Sequence, residues 1–151
     1  MADHDFGILL GLAYQGFVAQ LRAHLATRGF ARLGPAYGYV VRALDAEPGI
    51  RQRALARRLA ISDQGTNKII EAMVRDRLVE RRPDPEDGRA NQLHLAPRGR
   101  ELLRSARAFH ARFERGLARR HGAAAATTRR VLEAIVAGGH DETAQGRLRA
   151  T

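Results

Sequence analysis

The chain has 151 residues, enough for one compact domain with a single hydrophobic core. Its formal net charge is +10, so we expect an anionic partner, with nucleic acid ahead of an anionic membrane surface. The absence of cysteine excludes disulfides, thiol-based redox sensing and cysteine-ligated zinc. At the N-terminus, the acidic first residues and the lack of a long apolar run predict neither a signal peptide nor a transmembrane segment. We therefore expect a cytoplasmic protein with no membrane partner.

Two amphipathic helices are predicted before the centre of the chain. Residues 6–27 place apolar side chains at spacings of three and four, on one helix face. These are Leu10, Tyr14, Phe17, Leu21 and Leu25. Gly34-Pro35 opens the second helix, and Pro48-Gly49 ends it. Its apolar stripe is Tyr37, Val40, Val41 and Leu44.

A compact unit is predicted to follow from Ile50. Residues 51–60 form a short helix, Ile61 fills the turn, and Ser62 is a favourable N-cap for the next helix. The rear face of that helix, which carries Ile69, Ile70 and Met73, is expected to be core. Residues 79–82 and 92–95 then predict a β-hairpin, because the second run alternates polar and apolar side chains and a turn-rich charged tip separates the two.

Two further helices are predicted after the hairpin. An apolar stripe runs from Pro97 to a break at Gly122, and a last helix covers residues 125–137. Gly138-Gly139 is expected to end that helix and to leave residues 138–151 as a disordered tail. The apolar faces of the terminal helices are too extensive for one small domain to cover, which predicts a homodimer.

A short helix, a turn, a capped helix and a basic hairpin form the winged helix-turn-helix arrangement. We predict a mainly α (α+β) fold in which the capped helix enters the DNA major groove, whose width of about 12 Å matches the diameter of a helix. Gln, Asn and Lys side chains can read base edges there, hydroxyl groups can bind phosphate, and glycine permits close approach. The predicted contacts are Ser62, Gln64, Gly65, Thr66, Asn67 and Lys68.

Residues 66–99 resemble the central signature of the multiple antibiotic resistance regulator (MarR) family, and the order of helices extends this resemblance over residues 6–137. The family has an Asp-x-Arg wing, which is Asp87-Gly88-Arg89 here. The resemblance implies that Arg89 enters the minor groove and that Asp87 steadies it. Arg82 is expected to contact DNA from the same hairpin.

The sequence departs from the family pattern at three positions. Arg77 stands where the family usually has glycine, and Ala96 replaces the threonine that usually caps the long helix. The position that is usually hydrophobic in the recognition helix is assigned to Asn67. The first two departures concern stability, since a non-glycine in a left-handed C-cap costs about 1 kcal/mol. The third makes the sequence preference hard to infer.

The resemblance also implies a single domain over residues 1–151. Residues 34–96 would form its winged helix-turn-helix unit, and residues 6–30 and 97–137 would form its dimerisation helices. The resemblance implies a ligand-responsive repressor, with a small effector bound between the dimerisation helices and the DNA-binding unit. Tyr14, Phe17, Tyr37 and Arg42 are the candidate contacts for an anionic aromatic molecule, although core packing explains the aromatic residues equally well.

Other functions are less well supported by the sequence. A low-specificity architectural DNA-binding protein would have the same fold and charge. Asp84, Glu86 and Asp87 resemble a carboxylate cluster, but turn chemistry at an exposed hairpin tip explains them better. No phosphate loop, metal-ligand spacing or nucleophile–base pair is present, so we expect neither an enzyme nor a bound metal or cofactor. His24 and His110 lie beside apolar faces, where a core or interface role is commoner than sensing.

Overall fold

The computed structural model describes residues 5–142, with side chains as far as residue 138, and this part forms six helices and one three-stranded sheet. In chain order the elements are α1 (Phe6–Ala26), α2 (Tyr37–Ala46), β1 (Ile50–Arg51), α3 (Gln52–Leu59), α4 (Asp63–Arg75), β2 (Val79–Pro83), β3 (Asn91–Leu95), α5 (Pro97–His121) and α6 (Ala123–Glu142). None of the helices within residues 5–142 is long and apolar enough to cross a lipid bilayer.

The sheet has the order β1-β3-β2, and both neighbouring pairs are antiparallel. The predicted hairpin is confirmed, with Val79 opposite Leu95 and Arg81 opposite Leu93. Strand β1 was not predicted, because two residues are too short to show alternation. Its Ile50 pairs with Leu93, so the start of the compact unit is tied directly to the hairpin.

The hydrophobic core lies where α2, α3, α4 and the start of α5 meet the sheet. All four residues of the predicted α2 stripe are buried, as are the two apolar residues at the centre of α3. The side chains with no exposed surface are Leu55, Ile70, Met73 and Leu93. The amphipathic patterns therefore identify the inward faces of these helices correctly.

The start of helix α5 lies very close to the backbone that follows α4. The Ala96 N–H donates a 3.0 Å hydrogen bond to the Leu78 carbonyl oxygen, and Gly99 lies against that same carbonyl group. A Cβ atom at position 99 would collide with the Leu78 backbone. Ala96 occupies the N-cap of α5 without a side-chain cap bond, as the departure from threonine predicts.

The predicted left-handed position is also confirmed, because Arg77 has a φ angle of 60°. It lies between the Asp76 cap of α4 and Leu78, whose N–H donates to the Met73 carbonyl oxygen. The chain reverses at Arg77 and enters the hairpin immediately. The strain of a side chain in this region is therefore built into the turn that separates the helix from the wing.

The predicted end of the last helix at Gly138-Gly139 is wrong. Helix α6 continues through both glycines to Glu142, so residues 138–142 are helical and not a disordered tail. Glycine lowers helix propensity by about 1 kcal/mol per residue but does not stop a helix whose backbone hydrogen bonds continue. The rest of the predicted tail, residues 143–151, lies outside the described part of the chain.

Large apolar surfaces remain uncovered at both ends of the single chain. The first half of α1 and the outer face of α6 expose aliphatic and aromatic side chains, up to 61% of Phe6 and 62% of Val136. The others are Ile8, Leu9, Leu12, Tyr14, Val131, Leu132 and Ile135. An apolar groove of about 1170 Å³ lies between α5 and α6, next to the exposed α6 side chains. We call the exposed faces of α1 and α6, with this groove, the terminal apolar surface.

Candidate nucleic-acid interface

A helix-turn-helix joins α3 to α4. Helix α3 ends at Leu59, the C-cap residue Ala60 adopts a left-handed conformation, and the Ile61 N–H donates to the Ala56 carbonyl oxygen. Ser62 then has an extended backbone, and its Oγ accepts a 3.0 Å hydrogen bond from the Gly65 N–H. The predicted cap is therefore confirmed, and it fixes the start of α4.

The outer face of α4 begins with Gln64 and Lys68, which are both exposed and lie one turn apart. Gly65 is half-buried, and a Cβ atom there would lie 3.0 Å from both the Ile61 Cγ2 and the Ser62 Oγ. The glycine is therefore explained by packing against the turn. Its predicted role in close approach to DNA stays a prediction.

Thr66 does not lie on this outer face. Its side chain is only 1% exposed, and its Oγ1 has no hydrogen-bond partner among the described residues. The predicted phosphate contact by Thr66 is therefore wrong, because a group buried in the core cannot reach DNA. Asn67, which is assigned to the usually hydrophobic position of the family, is half-buried, and that assignment stays a prediction.

Asn67 lies at the centre of a hydrogen-bonded network. Its Oδ1 accepts bonds of 3.2 Å from both the Gln52 Nε2 and the Arg81 Nη2, and its Nδ2 donates a 2.7 Å bond to the Glu71 Oε1. The Arg81 Nη2 also donates to the Gln52 Oε1 at 3.3 Å. We call these four residues the Asn67 network. It joins the start of α3, the outer face of α4 and the base of the hairpin into one surface.

The wing loop is anchored where it leaves β2 by Asp84, whose side chain is only 3% exposed. Its Oδ2 accepts 2.7 Å bonds from the Nε and Nη2 of Arg51, and its Oδ1 accepts from the Glu86 N–H at 2.9 Å. The Glu86 N–H and the Arg51 guanidinium hold the pKa of Asp84 below its ordinary value although burial opposes this. The interpretation of this carboxylate as turn chemistry is confirmed. Among the side chains of residues 5–138, no three acidic, histidine or cysteine groups gather as a metal site.

The tip of the wing is shaped by Asp87. Its Oδ1 accepts a 3.1 Å bond from the Arg89 N–H, and its carbonyl oxygen accepts from the Ala90 N–H. Asp87 thus holds the backbone of the turn, and the Arg89 side chain is left exposed. Arg82 is also exposed, but its Nη2 lies 3.1 Å from the Glu80 carboxylate. Part of the Arg82 charge is therefore already compensated.

The four residues predicted to hold an effector do not share one environment. Phe17 packs against Phe109 and Phe113 of α5, and the Arg42 Nη2 lies 3.1 Å from the His110 Nε2. Since the Phe17 ring also lies 5.2 Å from the His110 ring, these two candidates meet at one histidine. Tyr14 is 61% exposed on α1.

Tyr37 differs from the other three candidate effector contacts. It is buried, and its hydroxyl donates a 2.9 Å hydrogen bond to the Asp76 Oδ2. The predicted effector contact at Tyr37 stays a prediction, although its hydroxyl is already used inside the fold.

His24 is a buried, neutral histidine. Its Nε2 donates to the Ser105 carbonyl oxygen at 3.2 Å, and its Nδ1 accepts from Arg28 and Arg112. Burial and these two arginines lower the pKa of His24, and burial together with Arg42 lowers the pKa of His110. His24 joins α1 to α5, as expected for a core or interface residue.

A capped helix with an exposed polar face, beside a basic hairpin braced at its base, defines a winged helix-turn-helix DNA-binding protein. Comparison with known proteins agrees with this class. A family model described as the MarR family matches residues 33–90. The HTH-type transcriptional regulator PetP of Rhodobacter capsulatus is 30% identical over 125 residues, which cover 82% of this chain and 74% of PetP. The chain belongs to the MarR family, as the resemblance predicted, and its relatives are transcription regulators.

Solved structures show the same fold. The transcriptional repressor CouR, bound to a 23-mer DNA duplex, is 27% identical with a TM-score of 0.68, over 89% of this chain and 91% of CouR. A Staphylococcus aureus MepR–DNA complex is 15% identical with a TM-score of 0.66, over 89% of this chain and 96% of MepR. The predicted fold class is therefore confirmed.

Proposed function

We propose that this protein is a ligand-responsive repressor that binds a pseudo-palindromic DNA operator as a homodimer in the cytoplasm. The main observation behind the proposal is that α4 and the hairpin form one surface. Arg81 of β2 bonds to Asn67 of α4, so the exposed Gln64 and Lys68 and the basic hairpin belong to one surface. A helix in the major groove then brings the hairpin to the neighbouring minor groove.

The homodimer is supported by the terminal apolar surface. Exposed aliphatic side chains on α1 and α6 flank an apolar groove, and water-exposed patches of this kind mark protein–protein contacts. We propose residues 6–30 and 97–137 as the dimerisation helices and residues 34–96 as the DNA-binding unit. A two-fold axis would place two copies of α4 on successive major grooves, with half-sites about 10 base pairs apart.

The effector site is proposed at the contact of α1, α2 and α5. Arg42 offers an exposed guanidinium beside His110, and Phe17 offers an aromatic face next to it. A small aromatic carboxylate can pair with the guanidinium and stack on the ring. Tyr14 would lie at the exposed end of such a site. Binding there would change the spacing of the two α4 helices, and a few kcal/mol of preference for another spacing releases DNA.

DNA selection tests the main proposal. The full chain would be used to select duplexes from a randomised library, and its affinity for the selected and random duplexes would be compared at one salt concentration. We expect an inverted repeat with a large specificity ratio, and a dimer in light scattering at micromolar concentration. Equal affinity for all duplexes would indicate an architectural protein, and a monomer that binds with full affinity would contradict the homodimer.

The effector proposal needs a separate titration. Salicylate and other small carboxylates would be added to the complex of the protein with its selected duplex, in parallel with the Arg42→Ala variant. We expect release of DNA from the wild type and a weaker response from the variant. If no carboxylate released DNA, the repressor would be independent of this ligand class while DNA binding stood.

A further inference from the structure

We infer that Asn67 is a positioning residue that holds the guanidinium of Arg81 at the DNA surface, and that Arg81 is a DNA phosphate contact. This inference rests on the proposed function, since it concerns how the same surface meets DNA. It assigns a binding role to Arg81, which lies at the base of the hairpin and not at its tip. It also removes Asn67 from the residues that read bases.

The hydrogen bonds of Asn67 argue against direct base reading. Asparagine recognises adenine with its amide oxygen and its amide nitrogen together. Here Oδ1 accepts from both Gln52 and Arg81, which uses both of its lone pairs. One hydrogen of Nδ2 is donated to Glu71 at 2.7 Å. Bidentate contact with a base would therefore require at least one of the two bonds to Oδ1 to break.

The same bonds fix Arg81 in place. A long arginine side chain loses much rotamer freedom when it binds a phosphate, and a guanidinium that is already held avoids part of that cost. The Nη2 of Arg81 is shared by Gln52 and Asn67, at 3.3 and 3.2 Å. These partners are neutral amides, so they orient the guanidinium without compensating its charge.

The remaining donors of Arg81 are available to an anion. A guanidinium has five N–H groups, and the contacts described for Arg81 use only Nη2. Arg81 is exposed, and the ion pairs among residues 5–138 do not include it. The neighbouring Arg82 differs, because it pairs with Glu80. Glu71, the carboxylate within the network, is bonded to Asn67 instead.

Asn67 and Arg81 both lie where a DNA phosphate would be expected. Asn67 belongs to the turn of α4 that carries Gln64 and Lys68, and Arg81 extends from β2 towards it. A helix in the major groove places phosphates along its sides, and hydrogen bonds to them set the register of the protein on DNA. The Asn67 network thus ties this phosphate contact to the position of the recognition helix.

A double-mutant cycle on DNA affinity tests the inference. The full chain and its Asn67→Ala, Arg81→Ala and doubly substituted forms would be titrated with a duplex selected by the wild type. We expect Arg81→Ala to weaken binding by about tenfold or more and to reduce the salt slope by about 1. Asn67→Ala should weaken binding less, and this effect should disappear in the Arg81→Ala background, since it acts through that guanidinium.

A matched control and a base scan complete the test. Gln64→Ala, on the same exposed face but outside the network, should give the same factor with or without Arg81. Asn67→Ala should leave the order of preference among single-base variants of the duplex unchanged. Additive effects of Asn67→Ala and Arg81→Ala, or a changed preference at one base pair, would overturn the inference while DNA binding stood. If the wild type selected no duplex at all, both the proposed function and this inference would fail.

Discussion

The hydroxyl of Tyr37 donates a 2.9 Å hydrogen bond to the carboxylate of Asp76, so the first residue of α2 is joined to the residue that follows α4. Tyr37 is buried, and burial together with the nearby carboxylate raises its pKa to about 12. The recognition helix is therefore held at both ends, by the Ser62 cap at its start and by Tyr37 at its finish.

Tyr37→Phe should destabilise the protein by about 1 to 3 kcal/mol, because the ring stays packed while the partly buried Asp76 carboxylate loses its donor. Urea unfolding followed by circular dichroism measures this free energy. Tyr39→Phe is the matched control, since Tyr39 is 44% exposed, lies outside the terminal apolar surface and should change stability by less than about 0.5 kcal/mol. Equal effects of the two substitutions would show that the Tyr37–Asp76 bond contributes nothing.

Arg77→Gly should stabilise the protein by about 1 kcal/mol, because glycine adopts a φ angle of 60° without a steric penalty. The thermal midpoint of unfolding is the measurement. Arg75→Gly removes the same charge two residues earlier, at the last residue of α4, and should be destabilising because glycine lowers helix propensity and a cation at the helix C-terminus is lost. A loss of stability in Arg77→Gly would indicate contacts of the arginine side chain that outweigh the backbone strain.

Thr66→Val should also raise stability, by about 1 kcal/mol or more. The substitution keeps the branched shape and removes a buried hydroxyl that has no partner among the described residues. Thr27→Val is a suitable control, since Thr27 is exposed and its hydroxyl donates to the His24 carbonyl oxygen. Chemical denaturation of both variants distinguishes the two environments. A destabilised Thr66→Val would mean that the hydroxyl is hydrogen-bonded in solution, for example to a buried water.

Asp84 should make the stability of the protein dependent on acid pH. Its pKa in the folded state lies below the ordinary 3.8, so the unfolded chain takes up the proton first as the pH falls. The stabilising contribution is complete above pH 3.8 and is lost as the pH falls from there through the folded-state pKa. Asp84→Asn should remove this part of the pH dependence. Unfolding curves of the two proteins at a series of pH values test this, and identical pH profiles would contradict it.

Arg89→Ala should weaken binding to a selected duplex and lower the salt slope by about 1, because an exposed cation at the wing tip would no longer reach DNA. Binding would be measured by fluorescence anisotropy over a range of salt concentrations. Arg104→Ala removes the same charge from an exposed site on α5 and should leave the slope nearly unchanged. Equal slopes for both variants would place the Arg89 side chain away from DNA.

Local signals in the sequence were sufficient for most of the fold. The Ser62 cap, the apolar stripe of α2 and the Asp87 turn depend on residues a few positions apart, and each was predicted correctly. The features that could not be predicted depend on how the helices and strands pack against one another. Neighbours in a helix point in different directions, so the burial of Thr66 next to the half-buried Asn67 is decided by packing against α3 and the sheet.

Polar contacts between residues far apart in the sequence could not be predicted either. Tyr37 fits an apolar stripe, and only the fold brings Asp76, 39 residues later, to its hydroxyl. The Asn67 network likewise joins residues 52, 67, 71 and 81 from three different elements. Strand β1 is visible only through its pairing with β3.

The uncovered apolar side chains of α1 and α6 have a consequence for gene control. If each operator is occupied by two copies joined through these faces, the amount of assembled repressor at low abundance grows with the square of the number of chains in the cell. Halving the abundance would then reduce the assembled form about fourfold, by mass action. The exposed Phe6 and Val136, more than a hundred residues apart, would thus help to make the regulated promoter respond sharply to small changes in repressor supply.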